Sequence, residues 1–138
     1  AGAASGILEI IDNSGGITGS TQSVALSGTG VAVSGALVAT PDTATATSNT
    51  TTIQTVTVNV RANDVPANTG TVAVVSMSKT ATATATATVS NNSIVLNMTG
   101  VGATTSAKQA SKRGVYTITY SLTNGGVTVR STATITVN

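Results

Sequence analysis

The chain has 138 residues, 40% of them hydrophobic, which is enough for one ordinary domain, or one domain plus a fragment, but not for two full domains. It contains no cysteine and no histidine, and this composition excludes zinc sites, thiol nucleophiles, Ser-His-Asp triads and histidine general bases. Charged residues make up 7%, the formal charge is +2 and aromatic residues make up 1%, so no basic surface interleaved with rings and no nucleic-acid site is predicted.

The composition also indicates where the protein works. No apolar run reaches transmembrane length, so no membrane insertion is predicted. A Thr, Ser, Asn and Gly bias combined with so few charges is typical of extracellular proteins. We therefore predict an extracellular or cell-surface location.

The first structural signal is a short β-hairpin. Residues alternate in character over Ile7 to Ile11 and again over Thr21 to Ser27, and the turn-rich segment DNSGGITGS joins the two runs. An isolated two-stranded hairpin is marginal in water and exposes strand edges, so its apolar side chains need a partner surface. These side chains, which we predict to make an inter-subunit contact, are Ile7, Leu8, Ile10, Ile11, Val24 and Leu26.

Three arrangements would cover this hairpin. It joins the sheet of its own C-terminal domain, it completes a neighbouring copy by strand addition, or the chain is a piece of a longer protein. The second arrangement is head-to-tail and does not close on itself, so it predicts a filament.

A domain boundary is predicted near Pro41-Asp42. The glycine-spaced segment Gly28 to Val38 serves either as a linker or as the first strand of the following domain. The chain then divides into an N-terminal extension, residues 1–38, and a β-sandwich, residues 39–138.

The sandwich is predicted from period-2 alternation. The run TIQTVTVNV ends in a turn rich in Asn, Asp, Pro and Gly, and the run TATATATATV alternates alanine with threonine throughout. Predicted strands cover 43–48, 52–60, 71–78 (with Val72, Val74 and Val75 available for burial), 79–90, 94–98, 116–122 and 127–137, and Asn124-Gly125-Gly126 supplies a tight turn. Residues 100–114, with the cluster Lys108, Lys112 and Arg113, are predicted to be a mobile polar loop. About seven strands at this spacing predict an all-β, two-sheet Greek-key sandwich.

Several runs resemble a known family. VTVNVRANDV, preceded by ATPDTATAT and followed by GVYTITYSLTNGGVTVRSTATITV, is similar to bacterial immunoglobulin-like or cadherin-like repeats of large surface proteins, over residues about 39–137. Residues about 1–33, ending in VALSGTGV, resemble the last two strands of another immunoglobulin-like module. The resemblance implies an immunoglobulin-like sandwich at a cell surface. The family turn often carries several Asp and Gly residues that suit calcium, whereas this turn reads VPANTG, so no metal or other cofactor is predicted.

Candidate modification sites are three Asn-x-Ser/Thr sequons, at Asn49, Asn91 and Asn97, which are predicted to lie on loops or on a wet strand face. Glycosylation would require a eukaryotic or archaeal host, and chance matches are the favoured interpretation, because Asn, Ser and Thr are abundant. The threonine row of the TATATATATV run suggests an ice-binding face, although a single row is better explained by a solvated strand.

Two chemical possibilities involve charged residues. Lys79, Lys108 and Lys112 are candidates for a Lys-Asn isopeptide crosslink, which needs a buried lysine and a nearby acid. Asp42 and Asp64 are predicted to lie near each other, in a capping or turn role rather than a catalytic one.

The leading functional hypothesis is a non-enzymatic structural subunit that polymerises through its N-terminal strands. The alternatives are a stalk or adhesin repeat of a longer surface protein, with a carbohydrate or another cell as its partner in cell adhesion, and a virion decoration domain. An enzyme is the weakest class, because no nucleophile-base pair is present in the sequence and no catalytic residue is predicted.

Overall fold

The computed structural model describes residues 2–12, 14–30 and 36–138, and it divides the chain into two units, residues 1–34 and residues 35–138. Part of the segment predicted as a linker or first strand, residues 31–35, lies outside the described residues. The two units are described one after the other.

The first unit is a long antiparallel hairpin. Strands β1 (Gly2–Asp12) and β2 (Ser20–Gly30) each have 11 residues and pair without interruption. Both strands extend beyond the predicted runs at 7–11 and 21–27. The added residues are mostly small or polar and have little strand preference of their own, but in-register pairing with the opposite strand supplies their main-chain hydrogen bonds.

The second unit contains two sheets formed by seven strands, which confirms the all-β prediction. Its elements are β3 (Asp42–Ala46), β4 (Ile53–Val58), β5 (Thr71–Lys79), β6 (Thr84–Ser90), β7 (Ser93–Thr99), α1 (Thr105–Lys112), β8 (Gly114–Asn124) and β9 (Val127–Val137). One sheet has the order β3-β9-β8-β5 and the other the order β4-β7-β6. Only β3 and β9 pair in parallel; the other neighbours in these two sheets are antiparallel.

The hydrophobic core of the second unit lies between its two sheets. Alternating residues of β7 and β8 are fully buried, because each strand turns one side chain in two towards the facing sheet. The fully buried residues of these two strands are Ile94, Leu96, Met98, Tyr116, Ile118, Tyr120 and Leu122. The only two rings of the chain are therefore both in the core.

The C-terminal hairpin is confirmed. β8 and β9 pair over their full length, and Gly125 and Gly126 connect them with φ values of +56° and +81°. A two-residue turn in which both residues have positive φ matches the twist of the two strands that it joins, and glycine adopts this backbone without steric cost.

Two details of the predicted strands are wrong. Val75 follows the inward-facing Val74 and therefore points outwards, so it is exposed rather than available for burial. A register shift between Val74 and Ser76 then brings Met77 to the core side. The alanine-threonine strand begins at Thr84 rather than at residue 79, because Thr82 and Ala83 donate their backbone N–H groups to the Ser111 carbonyl instead of to a sheet.

The predicted mobile loop at 100–114 is also wrong, since it contains helix α1. The Thr104 hydroxyl caps the helix by accepting a hydrogen bond from the Ala107 N–H at 3.1 Å. Gly102 has a φ of +124°, and a Cβ there would lie 2.6 Å from the Cβ of Ala107, so the chain can pass under the helix only with glycine at this position. Among the described residues, no helix is long and apolar enough to cross a membrane.

Candidate functional site

The first candidate site is the surface of the N-terminal hairpin. All six residues predicted to make an inter-subunit contact are exposed, with exposed fractions between 46% and 71%. Side chains of paired residues point to the same side of a hairpin, so the pairing of Leu8 with Val24 and of Gly6 with Leu26 assigns each side chain to a face.

The two faces of the hairpin differ in character. Leu8, Ile10, Val24 and Leu26 share one face of the hairpin, and this set is called the apolar face below. Ile7 and Ile11 lie on the opposite face together with Glu9 and several serines, and they are more exposed, at 68% and 71%. A shallow open depression lies along the middle of the hairpin, between Ser5–Ile7 and Ala25–Ser27.

Charge is distributed unevenly between the two units. Residues 1–34 carry two acidic residues, Glu9 and Asp12, and no basic residue. Residues 35–138 carry all six basic residues and the other two acidic residues. The two units therefore carry net formal charges of opposite sign.

A second candidate site is a buried polar cluster around Tyr120. The Tyr120 hydroxyl lies 2.9 Å from Asp42 Oδ2, 3.2 Å from the Val60 carbonyl oxygen and 3.3 Å from the Thr40 carbonyl oxygen. Asp64 Oδ1 accepts a hydrogen bond from the Thr40 N–H at 2.8 Å, and Asp64 Oδ2 is buried without a hydrogen-bond partner. Asp42 and Asp64 thus approach each other on either side of Thr40.

The electrostatics of this cluster favour the neutral forms of Asp42 and Tyr120. Burial raises the pKa of Asp42 above its ordinary value of 3.8, the charge of Asp64 raises it further, and hydrogen bonds from Tyr120 and Asn63 oppose the rise. Burial and the hydrogen bond to Asp42 likewise raise the pKa of Tyr120. Within the described part of the chain, no group of three or more acidic, histidine or cysteine residues could hold a metal ion.

Replacing Asp42 with asparagine is expected to improve stability selectively at neutral pH. A carboxyl group whose pKa is higher in the folded protein binds more protons there, so stability falls as pH rises from 3.8 through the folded pKa. Asparagine does not ionise and keeps an oxygen that can accept from Tyr120. Urea unfolding should show that Asp42→Asn gains stability relative to the wild type between pH 3 and pH 7.

The comparison of the two pH values within this one variant provides the control for this prediction. An equal effect of Asp42→Asn at pH 3 and pH 7 would mean that ionisation of Asp42 does not oppose folding.

A third site is the buried ammonium group of Lys112, which the sequence analysis named as one of three lysines for an isopeptide crosslink but placed in a mobile loop. Its Nζ donates to Asn49 Oδ1 at 3.0 Å, to the Asn49 carbonyl oxygen at 3.0 Å and to the Thr51 carbonyl oxygen at 2.5 Å. Lys112 is 0% exposed, and this burial lowers its pKa. Its three protons have three acceptors, so the charge is satisfied without a carboxylate.

The location of Lys112 also bears on the isopeptide hypothesis. Lys112 is the buried lysine that the reaction needs, and its neighbour is the side chain of Asn49, but its hydrogen-bond partners in the described residues include no acid. Lys79 donates instead to the Ala81 carbonyl at 2.9 Å, and Lys108 is half-buried on the same helix as Lys112. An isopeptide crosslink therefore stays an untested hypothesis, which mass spectrometry of the intact chain would test through the loss of ammonia.

The three sequons lie in different settings. Asn49 is an exposed residue, although the Oδ1 atom of its side chain accepts hydrogen bonds from both Lys112 and Thr51. Asn91 is exposed in the turn between β6 and β7, with a φ of +49°. Asn97 is half-buried on the outer face of β7 and accepts a hydrogen bond from Thr55 at 2.7 Å. Asn91 is therefore the most accessible of the three.

The threonine row of β6 lies on the outer face of its sheet, as predicted. Thr84, Thr86 and Thr88 are exposed and are paired across the sheet with Thr99, Asn97 and Val95 of β7. The outward-facing residues of β7 beside the threonine row are therefore a threonine, an asparagine and a valine. They do not form a second regular row of threonines.

Comparison with known proteins gives no relative: no family model, curated protein or solved structure matches the chain.

Proposed function

We propose that the protein is an extracellular structural subunit that assembles into a filament by donating its N-terminal hairpin to a neighbouring copy. The observation that carries this proposal is the separate hairpin unit, in which six large apolar side chains are exposed. Monomeric proteins rarely leave contiguous apolar surface in water unless it is an interaction site.

The energetics favour strand addition over simple contact of faces. Each residue of the apolar face is about half exposed, so burying it fully contributes about 1 kcal/mol, or about 4 kcal/mol for the four. Association costs at least about 4 kcal/mol in lost translational and rotational freedom. Addition to a sheet edge supplies main-chain hydrogen bonds as well as apolar burial, and the sum of the two can exceed this cost.

The sandwich is proposed to be of the immunoglobulin-like Greek-key type, and two features support this. Strands β4, β7 and β6 form one sheet, and β9, β8 and β5 belong to the other, which matches the strand arrangement of an immunoglobulin domain. The difference is that the first strand of the sandwich, β3, pairs with the last strand, β9, instead of joining the sheet of β4. In addition, the Tyr116 hydroxyl, at the start of β8, donates to the Lys112 carbonyl four residues upstream at 2.8 Å. This contact has the form of a tyrosine corner.

The polymer is proposed to be open rather than closed. The donated hairpin and the accepting sandwich are different surfaces, so each copy can donate to one neighbour and accept from another. The acidic hairpin and the basic sandwich favour this contact over a symmetric pairing of two hairpins. The extracellular location rests on the composition, which is rich in Thr, Ser, Asn and Gly and poor in charge.

Deletion of residues 1–38 tests the proposal, since the remaining chain should be a folded monomer. Within the full chain, replacing Leu8 and Leu26 together with serine should remove about 2 kcal/mol of apolar burial and raise the concentration needed for assembly about 25-fold. Replacing Ile7 and Ile11, on the opposite face, provides a matched control with a smaller expected effect.

Sedimentation velocity and negative-stain electron microscopy measure the outcome. Filaments formed by the truncated protein would refute hairpin donation. A wild-type protein that stays monomeric at every concentration would refute the filament itself and favour a stalk or adhesin repeat.

A further inference from the structure

We infer that the hairpin of one copy adds to the free edge of β6 in the next copy, and so extends the three-stranded sheet. This inference rests on the proposed function, which requires an acceptor but does not identify one. The edge strands of the two sandwich sheets are β3, β5, β4 and β6.

Three of these edges are protected. β5 carries the register shift at Val74 and ends at Lys79, and both a bulge and a lysine discourage pairing. β3 is only five residues long. Beside β4, the side chain of Gln54 donates to the Thr47 carbonyl at 2.9 Å and accepts from the Asn49 N–H at 3.0 Å, so the 47–52 connection covers that edge.

The edge of β6 is open by the same criteria. Its seven residues pair with β7 in one uninterrupted register, and its sequence TATATVS contains no charge and no proline. No backbone hydrogen bond joins residues 84–90 to any described residue outside that pairing. A flat, uncharged edge strand of this kind is a template for another strand.

The core is also incompletely covered at this edge. Ala85, Ala87 and Val89 occupy the inward-facing positions of β6, yet the alanines are only half-buried and Val89 is 38% exposed. The inward-facing residues of the neighbouring strand β7 are all 0% exposed. Small alanines at the rim leave room that larger side chains on an added strand would fill.

The hairpin matches this edge on both sides of the sheet. If the apolar face continues the core side, Leu8 and Ile10 lie beside the small alanines, and the opposite face, with Glu9 and its serines, continues the threonine row. Basic residues lie close to the start of β6: Lys79 donates to the Ala81 carbonyl, and the exposed Arg113 adjoins Gly114, which packs against Ala81. The acidic hairpin therefore meets a basic border.

A second β6 is the competing occupant of this edge. Pairing two β6 strands would place alanine beside alanine, so the rim of the core would stay shallow and the apolar face of both hairpins would stay exposed. It would also close into a dimer instead of a chain of subunits. The hairpin of another copy satisfies both surfaces at once.

An inward-pointing charge on β6 tests the inference in the full chain. Ala87→Lys places a charge on the core side of the edge and should raise the concentration needed for assembly more than about 10-fold, because such residues block strand addition. Thr128→Lys, at an exposed position of β9, which is not an edge strand, adds the same charge and is the matched control; it should change this concentration less than about 3-fold. Circular dichroism of each variant verifies that the sandwich is folded.

Cysteine crosslinking gives an independent measurement, because the chain has no cysteine of its own. Thr86→Cys combined in turn with Ser5→Cys, Glu9→Cys or Ser23→Cys should give a ladder of disulfide-linked oligomers on oxidation for at least one pair. Thr128→Cys, on β9, combined with the same hairpin positions should give none. This readout does not depend on the stability of Ala87→Lys.

The outcomes separate the inference from the proposed function. Wild-type filaments that survive Ala87→Lys and yield no ladder would overturn the β6 assignment but leave hairpin donation intact. Crosslinked dimers from Thr86→Cys alone, without a ladder in the paired variants, would assign the edge to a second β6 instead. A wild-type chain that does not assemble would overturn both.

Discussion

Replacing Tyr120 with phenylalanine is expected to lower the free energy of unfolding by about 3 kcal/mol and the melting temperature by about 15 °C. The ring keeps its place in the core, so the effect isolates the hydroxyl group. Without it, the buried Asp42 carboxyl group keeps Asn63 but loses the Tyr120 donor beside the charge of Asp64. Chemical denaturation at pH 7 measures the change.

Tyr116→Phe is the matched control for this prediction. Tyr116 is equally buried, but its hydroxyl donates to a neutral carbonyl, that of Lys112, so the expected loss is only about 1 kcal/mol. If the two variants lost the same amount, the carboxyl group of Asp42 would not be what makes the Tyr120 hydrogen bond strong.

A double-mutant cycle assigns the effect to the pair. Once Asp42 is replaced by asparagine, removing the Tyr120 hydroxyl should cost less, since a neutral acceptor is easier to leave without a donor. Additive effects of the two substitutions would show that Tyr120 acts through the Thr40 and Val60 carbonyls instead.

The second large effect is expected for Lys112→Met, which should lower the free energy of unfolding by about 2 kcal/mol. Methionine fills a similar volume but leaves the carbonyl oxygens of Asn49 and Thr51 without the Lys112 donor and Asn49 Oδ1 with Thr51 as its donor. The loss is smaller than three hydrogen bonds would suggest, because the variant also avoids burying a charge. Lys108→Met, on the same helix, should change stability by less than about 0.5 kcal/mol.

The pH dependence of stability distinguishes the charge of Lys112 from its packing. The lysine has a lower pKa in the folded protein than its ordinary 10.5, so the unfolded chain binds more protons between these two values. Stability of the wild type should therefore rise with pH in the window below 10.5, and this rise should be absent in Lys112→Met. A wild type and a variant that respond identically to pH would contradict burial of the ammonium ion.

The sandwich was predictable where two local signals agree. For the C-terminal hairpin, strict alternation on both sides of Asn124-Gly125-Gly126 determines the strands, their register and the turn together. For β5, the apolar character of Val75 suggested burial, but Val75 follows the inward-facing Val74 and so points outwards. The register shift that brings Met77 back to the core side depends on the partner strand and leaves no pattern in the sequence.

The buried polar sites were harder to predict because tertiary contacts create them. Lys112 and Asn49 are 63 residues apart, and no periodicity links them. One local signal was available: a run of good helix formers, Ala107 to Ala110, follows the capping residue Thr104 and precedes Gly114. A helix there would have placed Lys112 in a last turn, where a cation is stabilised by the helix dipole.

The parallel pairing of β3 with β9 has a mechanical consequence. These are the first and last strands of the sandwich, and Asp42 to Ala46 lie alongside Ala133 to Val137. Tension applied at residue 42 and at residue 137 pulls the two strands past each other along their length, so it loads all their hydrogen bonds together instead of breaking them one by one. A pulling force transmitted through the sandwich is thus resisted by the β3–β9 pairing, whose hydrogen bonds are loaded in shear.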